Sequence, residues 1–166
     1  MTVEPLGAIT ESVVTLAKMV ASSQRFQERR GVTTQKQALA HVYYPWLDAA
    51  DHKALRPYCL IEQGTELTWE FRGGGRSNYL VATGGLKLWF FDNSRYEDTR
   101  DNFIDFGNFI DAVVKELVEI AGSDDLLSID GFKLSSPPMC SDPRIVFKPD
   151  EYWGACFDVA WAPSRG

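Results

Sequence analysis

Between Thr99 and Gly122, Phe103, Phe106, Ile110, Val113, Leu117 and Ile120 recur at steps of three and four. That spacing puts an apolar stripe on one face of a long helix. Asp98 or Thr99 is placed to open the helix, and Gly122 to close it. Glu97, Asp98 and Asp101 fall in its first turn, where the helix dipole favours carboxylates, so their expected role is capping rather than catalysis. A helix with such a stripe must bury it against a second layer. The flanking sequence supplies one in a different period: Leu67, Trp69 and Phe71 alternate with Thr68, Glu70 and Arg72. Leu86 to Phe91 is a nearly continuous apolar run. Near the end Trp153, Ala155, Phe157, Val159 and Trp161 share one parity, with Gly154, Cys156 and Asp158 on the other. A period of two on both sides of a helical period of 3.6 defines an α+β fold.

The remaining elements follow the same logic. Ile9, Val13, Leu16, Ala17 and Val20 predict a helix over 9–21 capped by Thr10 or Ser12, followed by the polar, basic stretch Ser22 to Gly31, which contains Phe26. Thr34 to Gln37 has capping-box spacing and predicts a second helix through Ala38, Leu39 and Val42 that Pro45 ends, with His41 inside it. Trp46 to His52 reads as a connecting turn. Strands are expected at Pro57 to Gln63, at Leu67 to Arg72, at Tyr79 to Ala82 and, after Gly84-Gly85, at Leu86 to Phe91. A further strand from Leu127 to Leu134 changes parity at Gly131, as a bulge would. The expected whole is one domain over 1–166: N-terminal helices in 9–44, strands in 57–92, the long helix in 98–121 and C-terminal strands in 126–162. Short links favour a mostly antiparallel sheet of about four to six strands, packed against the long helix and the N-terminal helices.

Lys+Arg 17 against Asp+Glu 23 gives a net charge of −6, which disfavours a broad basic footprint and makes direct nucleic-acid binding an unexpected role. No apolar run is long enough to span a membrane and the first residues lack a secretory pattern, so the expected site is the cytosol, without membrane attachment. Cys59, Cys140 and Cys156 form no CxxC pair and read as reduced, buried spectators. His41 and His52, the only two histidines, have no metal-ligand spacing around them. Asp48, Asp51 and His52 make a polar turn. The chain contains no G-x-S-x-G nucleophile elbow. Gly73-Gly74-Gly75 between Arg72 and Arg76 lacks the Lys-Ser/Thr ending and the following helix of a phosphate loop, and predicts a hairpin loop available to a partner. Trp46 is the one tryptophan outside a strand pattern and is a candidate contact anchor, whereas Trp69, Trp89, Trp153 and Trp161 are expected in the core. Lys115, Glu116 and Glu119 are expected to solvate the outer face of the long helix. No catalytic, cofactor-binding or metal-binding residue is assigned, and the expectation is a non-enzyme.

The order of these elements resembles the tail-terminator and tail-completion proteins of long-tailed phages and prophages. Arg56 to Ile61 opens the sheet, the glycine-rich break follows, then Gly84-Gly85-Leu86-Lys87-Leu88, the helix Phe103 to Ile120 and the closing Tyr152-Trp153 strand. The likeness covers about Ile9 to Trp161. It implies a structural α+β subunit that forms a ring, commonly a hexamer, caps the tail tube and meets the head connector. It further implies host cytoplasm and then the virion tail as its locations, and tail-tube and head-connector proteins as its partners. Ring closure requires two different patches that meet, expected at Arg72 to Asn78, with Arg72, Gly73, Gly74, Gly75 and Arg76 as contacts, and at Ser135 to Lys148. The alternative reading is a small cytosolic α+β ligand-binding domain or enzyme.

Overall fold

The computed structural model describes residues 8–44, 56–63, 68–72, 79–95, 99–121, 132–133, 145–146 and 152–163. Three helices come first: α1 (Ala8–Ser22), α2 (Gln24–Arg30) and α3 (Gln35–Leu39). Strands β1 (Val42–Tyr43), β2 (Tyr58–Gln63), β3 (Thr68–Arg72) and β4 (Tyr79–Arg95) follow, then helix α4 (Thr99–Ala121) and strands β5 (Phe132–Lys133), β6 (Ile145–Val146) and β7 (Tyr152–Pro163). The sheet runs β1-β2-β4-β7-β5, with β3 also on β4 and β6 also on β7. The α+β architecture, the long helix and a sheet dominated by antiparallel pairs are as the periodicities require.

Four local readings are corrected. Thr10 and Ser12 lie inside α1, and Ser12 is buried, because the helix begins at Ala8. The helix after Thr34 ends at Leu39. His41 therefore lies outside it, and Val42–Tyr43 form a strand parallel to β2 (Val42↔Cys59, Tyr43↔Leu60). The long connection between β1 and β2 makes this one parallel pair feasible. Gly84-Gly85 does not divide two strands: β4 is continuous over 17 residues, and the glycines mark where it changes partners, from β3 (Thr68↔Thr83 to Arg72↔Tyr79) to β2 and β7. Ile145–Val146, inside the Ser135 to Lys148 stretch expected to meet a neighbouring subunit, are instead a strand paired with β7 through Ala155 and Gly154. Most of the expected Leu127 to Leu134 strand lies outside the described residues; its Phe132–Lys133 portion is β5.

The core sits between the helices and one face of the sheet. From α4 it takes Phe106, Ile110, Val113 and Leu117; from β4, Leu86, Leu88 and Phe90; from β2, Cys59 and Ile61; from β7, Trp153, Ala155 and Val159. Phe90 lies at its centre, edge-on to both Phe26 (6.0 Å) and Phe109 (5.9 Å). Phe103, grouped with the buried stripe by spacing, is 46% exposed, with its ring edge against Trp153 (5.7 Å). Trp89 has the other parity: it is half-buried on the face away from the core and stacks on Phe91, which in turn stacks on Tyr58. Gly154 has a packing reason, since a Cβ there would lie 3.2 Å from the Phe90 carbonyl oxygen.

Candidate functional site

Helix α2 is only seven residues long, too short to be stable alone, and it is fixed at both ends. At its start Ser23 is the N-cap: its Oγ accepts from Phe26 N (3.2 Å) and donates to Glu116 Oε2. The same Glu116 oxygen accepts from Arg25 N (3.2 Å). A carboxylate on α4 thus joins the cap of a helix more than ninety residues earlier in the chain, where the dipole also favours it. At its end Gly31 takes the left-handed conformation (φ +77°). Its N–H and that of Val32 bond to the last carbonyls, Val32 to Gln27 at 2.9 Å, which is the glycine-ended stop expected from the sequence.

In the last turn of α2, Arg29 Nε and Nη2 donate to Asp92 Oδ1 (2.9 Å) and Oδ2 (2.6 Å), and Nη1 pairs with Asp105 Oδ2 (2.8 Å). The guanidinium also lies 4.9 Å over the Phe109 ring. Asp92 is fully buried, whereas the Asp105 side chain is 63% exposed. These contacts hold the Arg29 guanidinium above its ordinary pKa, chiefly through the Asp92 hydrogen bonds, with burial opposing. Asp92 keeps the core-facing parity of Leu86, Leu88 and Phe90 and stands where the β4–β7 register shifts between Phe91 and Arg95. Asp105, Phe109, Ala112 and Glu116 are spaced by four, three and four along α4, so one stripe of that helix meets α2 along its length. The expectation that Glu116 merely solvates the outer face is therefore corrected; Lys115 and Glu119 are exposed as expected.

Along this α2–α4 seam lies an open cleft of about 390 Å³, lined by Arg25, Glu28, Arg29, Asp105, Asn108, Phe109 and Ala112. Its charges are already paired: Arg29 as described, and Arg25 with Glu28 at 3.6 Å. Among the described residues no group of three or more His, Cys, Asp or Glu is placed to hold a metal ion, and no helix is long and apolar enough to cross a membrane.

Of the residues singled out as partner contacts, Trp46, Gly73, Gly74, Gly75 and Arg76 lie outside the described residues, as do Asp48, Asp51, His52 and Cys140. Arg72 is the last residue of β3, with its backbone in register with Tyr79. β2 and β3 follow one another along β4, both antiparallel to it, and the sequence 73–78 joins Arg72 at the end of β3 to Tyr79 at the start of β4. The β4–β7 ladder starts at Gly84, and among the described residues Tyr79–Thr83 pair with β3 alone. Tyr79–Thr83 thus carry β4 about 16 Å past the start of its ladder with β7, at the rise of an extended chain. Cys59 is buried, which pushes its thiol pKa well up, while Cys156 is half-buried.

The chain matches no protein-family model, and a search of curated proteins also returned no match.

Proposed function

We propose that this chain is a structural subunit of a phage or prophage tail, similar to a tail terminator, which assembles into a ring that caps the tail tube and joins it to the head connector. The observation that carries the reading is the arm of β3 and β4. A two-stranded extension with backbone groups of Tyr79–Thr83 paired on one side only, among the described residues, is suited to adding a strand to a neighbouring subunit. The glycine-rich sequence Arg72 to Arg76 follows directly on β3 in the chain. Ring assembly by identical copies uses a heterologous contact, and an arm that reaches past its own sheet gives such a contact one of its two sides. The clamped α2–α4 seam supplies the other requirement, a rigid body from which the arm extends.

A second reading, a small ligand-binding α+β domain or enzyme, draws on the cleft of about 390 Å³ between α2 and α4, which is within the size of small-molecule pockets. Its mixed, mutually paired charges favour the first reading. Light scattering of the purified chain, alone and with tail-tube protein, separates the two. Closed oligomers with rings in electron micrographs support the subunit; a monomer in both samples that binds a small metabolite supports the ligand-binding domain.

A further inference from the structure

Consecutive arginines at the end of α2 have opposite fates. Arg29 is matched by two carboxylates, whereas among the described residues the half-buried Arg30 makes one hydrogen bond, from Nη1 to the Arg56 carbonyl (3.2 Å), and its buried Nε has no acceptor. Across from it the imidazole of His41 has a buried Nδ1 that is likewise without a partner. His41 is held in place by its backbone, whose carbonyl accepts from Cys59 N at 3.0 Å. The parallel β1–β2 register sets it beside Tyr58, two residues after Arg56. The His41 pKa lies below its usual value because of burial and the charge of Arg30, so the two side chains feel one another. Arg56 joins the cluster from β2's side, its guanidinium 5.3 Å over the Phe91 ring and its Nη1 bonded to the Asp92 carbonyl (3.1 Å).

A buried donor left without an acceptor costs about 1–3 kcal/mol. Here one such donor, Arg30 Nε, and a second unpartnered nitrogen, His41 Nδ1, stand at one junction among three basic side chains, and among the described residues no carboxylate pairs with Arg30. The missing component is an acceptor that carries negative charge. We propose that the junction of α2, β1 and β2 is an oxyanion subsite, in which Arg30 and His41 receive a phosphate or carboxylate group and Arg56 adds its charge from the side. Imidazolium is the form of His41 that donates from both ring nitrogens, so binding takes up a proton. This site is separate from the arm and from the α2–α4 seam, and it stands independently of the assembly reading.

The test is NMR of the full-length protein, following the Arg30 Nε–H signal and the His41 ring through a pH titration in chloride, in inorganic phosphate and in acetate at equal ionic strength. The expected result is a shift of the Arg30 signal and a rise of the His41 pKa by about one unit in the anion that binds. A response to both anions shows a general oxyanion site, and a response to phosphate alone shows a tetrahedral one. Arg30→Gln should weaken the response at least roughly tenfold, the scale of one lost charged hydrogen bond. Arg30→Lys, which keeps the charge, should restore part of it and serves if the glutamine variant does not fold. Identical signals in all three salts overturn the proposal, as does an undiminished phosphate response in a folded Arg30→Gln variant.

Discussion

Arg29 and Asp92 form a bidentate ion pair, 2.9 and 2.6 Å, that ties the last turn of α2 to the fourth strand of the sheet 63 residues away in the chain. It lies against Phe109, next to the Phe90 centre of the core. One partner is fully buried, so the pair acts as a fixed joint between the helical layer and the sheet.

Removing either half should therefore be costly. Arg29→Met leaves the Asp92 carboxylate buried without its partner, an arrangement that costs about 3–5 kcal/mol. Asp105→Asn, at a site 63% exposed, should cost about 1 kcal/mol or less. Urea denaturation of the two variants checks the contrast, and equal losses would contradict the joint.

The cap shared by α2 and α4 gives a second test. Ser23→Ala removes an N-cap, worth about 1 kcal/mol, and Glu116→Gln removes the carboxylate that meets both Ser23 Oγ and Arg25 N. Because Ser23 Oγ bonds both Phe26 N and Glu116, the double variant should lose less than the sum of the singles. A double-mutant cycle in thermal denaturation measures that difference, and strict additivity would show that the two residues act separately.

Much of this framework is legible in the chain, and the rest is hidden for physical reasons. The stripe Phe106 to Leu117, the Gly31 stop and the alternation around Trp153 follow from local geometry, since each repeats a helical or strand period. Asp92 could have been found by extending the parity of Leu86, Leu88 and Phe90 by one more step, which puts a carboxylate on the core face and demands a cation. Which arginine answers it cannot be read from spacing, because Arg25, Arg29 and Arg30 are equivalent until α2 is placed against β4. Glu116 is hidden in the same way: on α4 alone it belongs to the polar side, and only the approach of α2 gives it partners. Gly84-Gly85 misleads because glycine in a strand usually signals a break, whereas here it marks an exchange of neighbours.

Stability should fall in mildly acidic solution in a way that depends on His41. Its folded-state pKa lies below the usual 6.5, so as the pH drops below that value the unfolded chain takes up a proton that the folded one refuses. Stability is then lost until the folded pKa is passed. His41→Asn should flatten the part of the stability profile that lies below about pH 6.5, as measured by chemical denaturation at several pH values. An unchanged slope would show that other groups account for it.

Thiol chemistry should separate two cysteines. Burial pushes the Cys59 thiol pKa well up, so little reactive thiolate forms near neutral pH, whereas Cys156 is half-buried. Iodoacetamide labelling of the native protein followed by peptide mass mapping should modify Cys156 well before Cys59, and denaturant should equalise them. Early labelling of Cys59 would contradict its place in the core.

Whether the chain is one copy of a ring, as proposed, is decided by native mass spectrometry of the protein alone and mixed with a phage tail-tube protein. A closed species is expected, at about 112 kDa for six copies of the 18.7 kDa chain, that is lost when residues 73–78, which join β3 to β4, are shortened to two residues. A chain that remains at 18.7 kDa in both samples would contradict it.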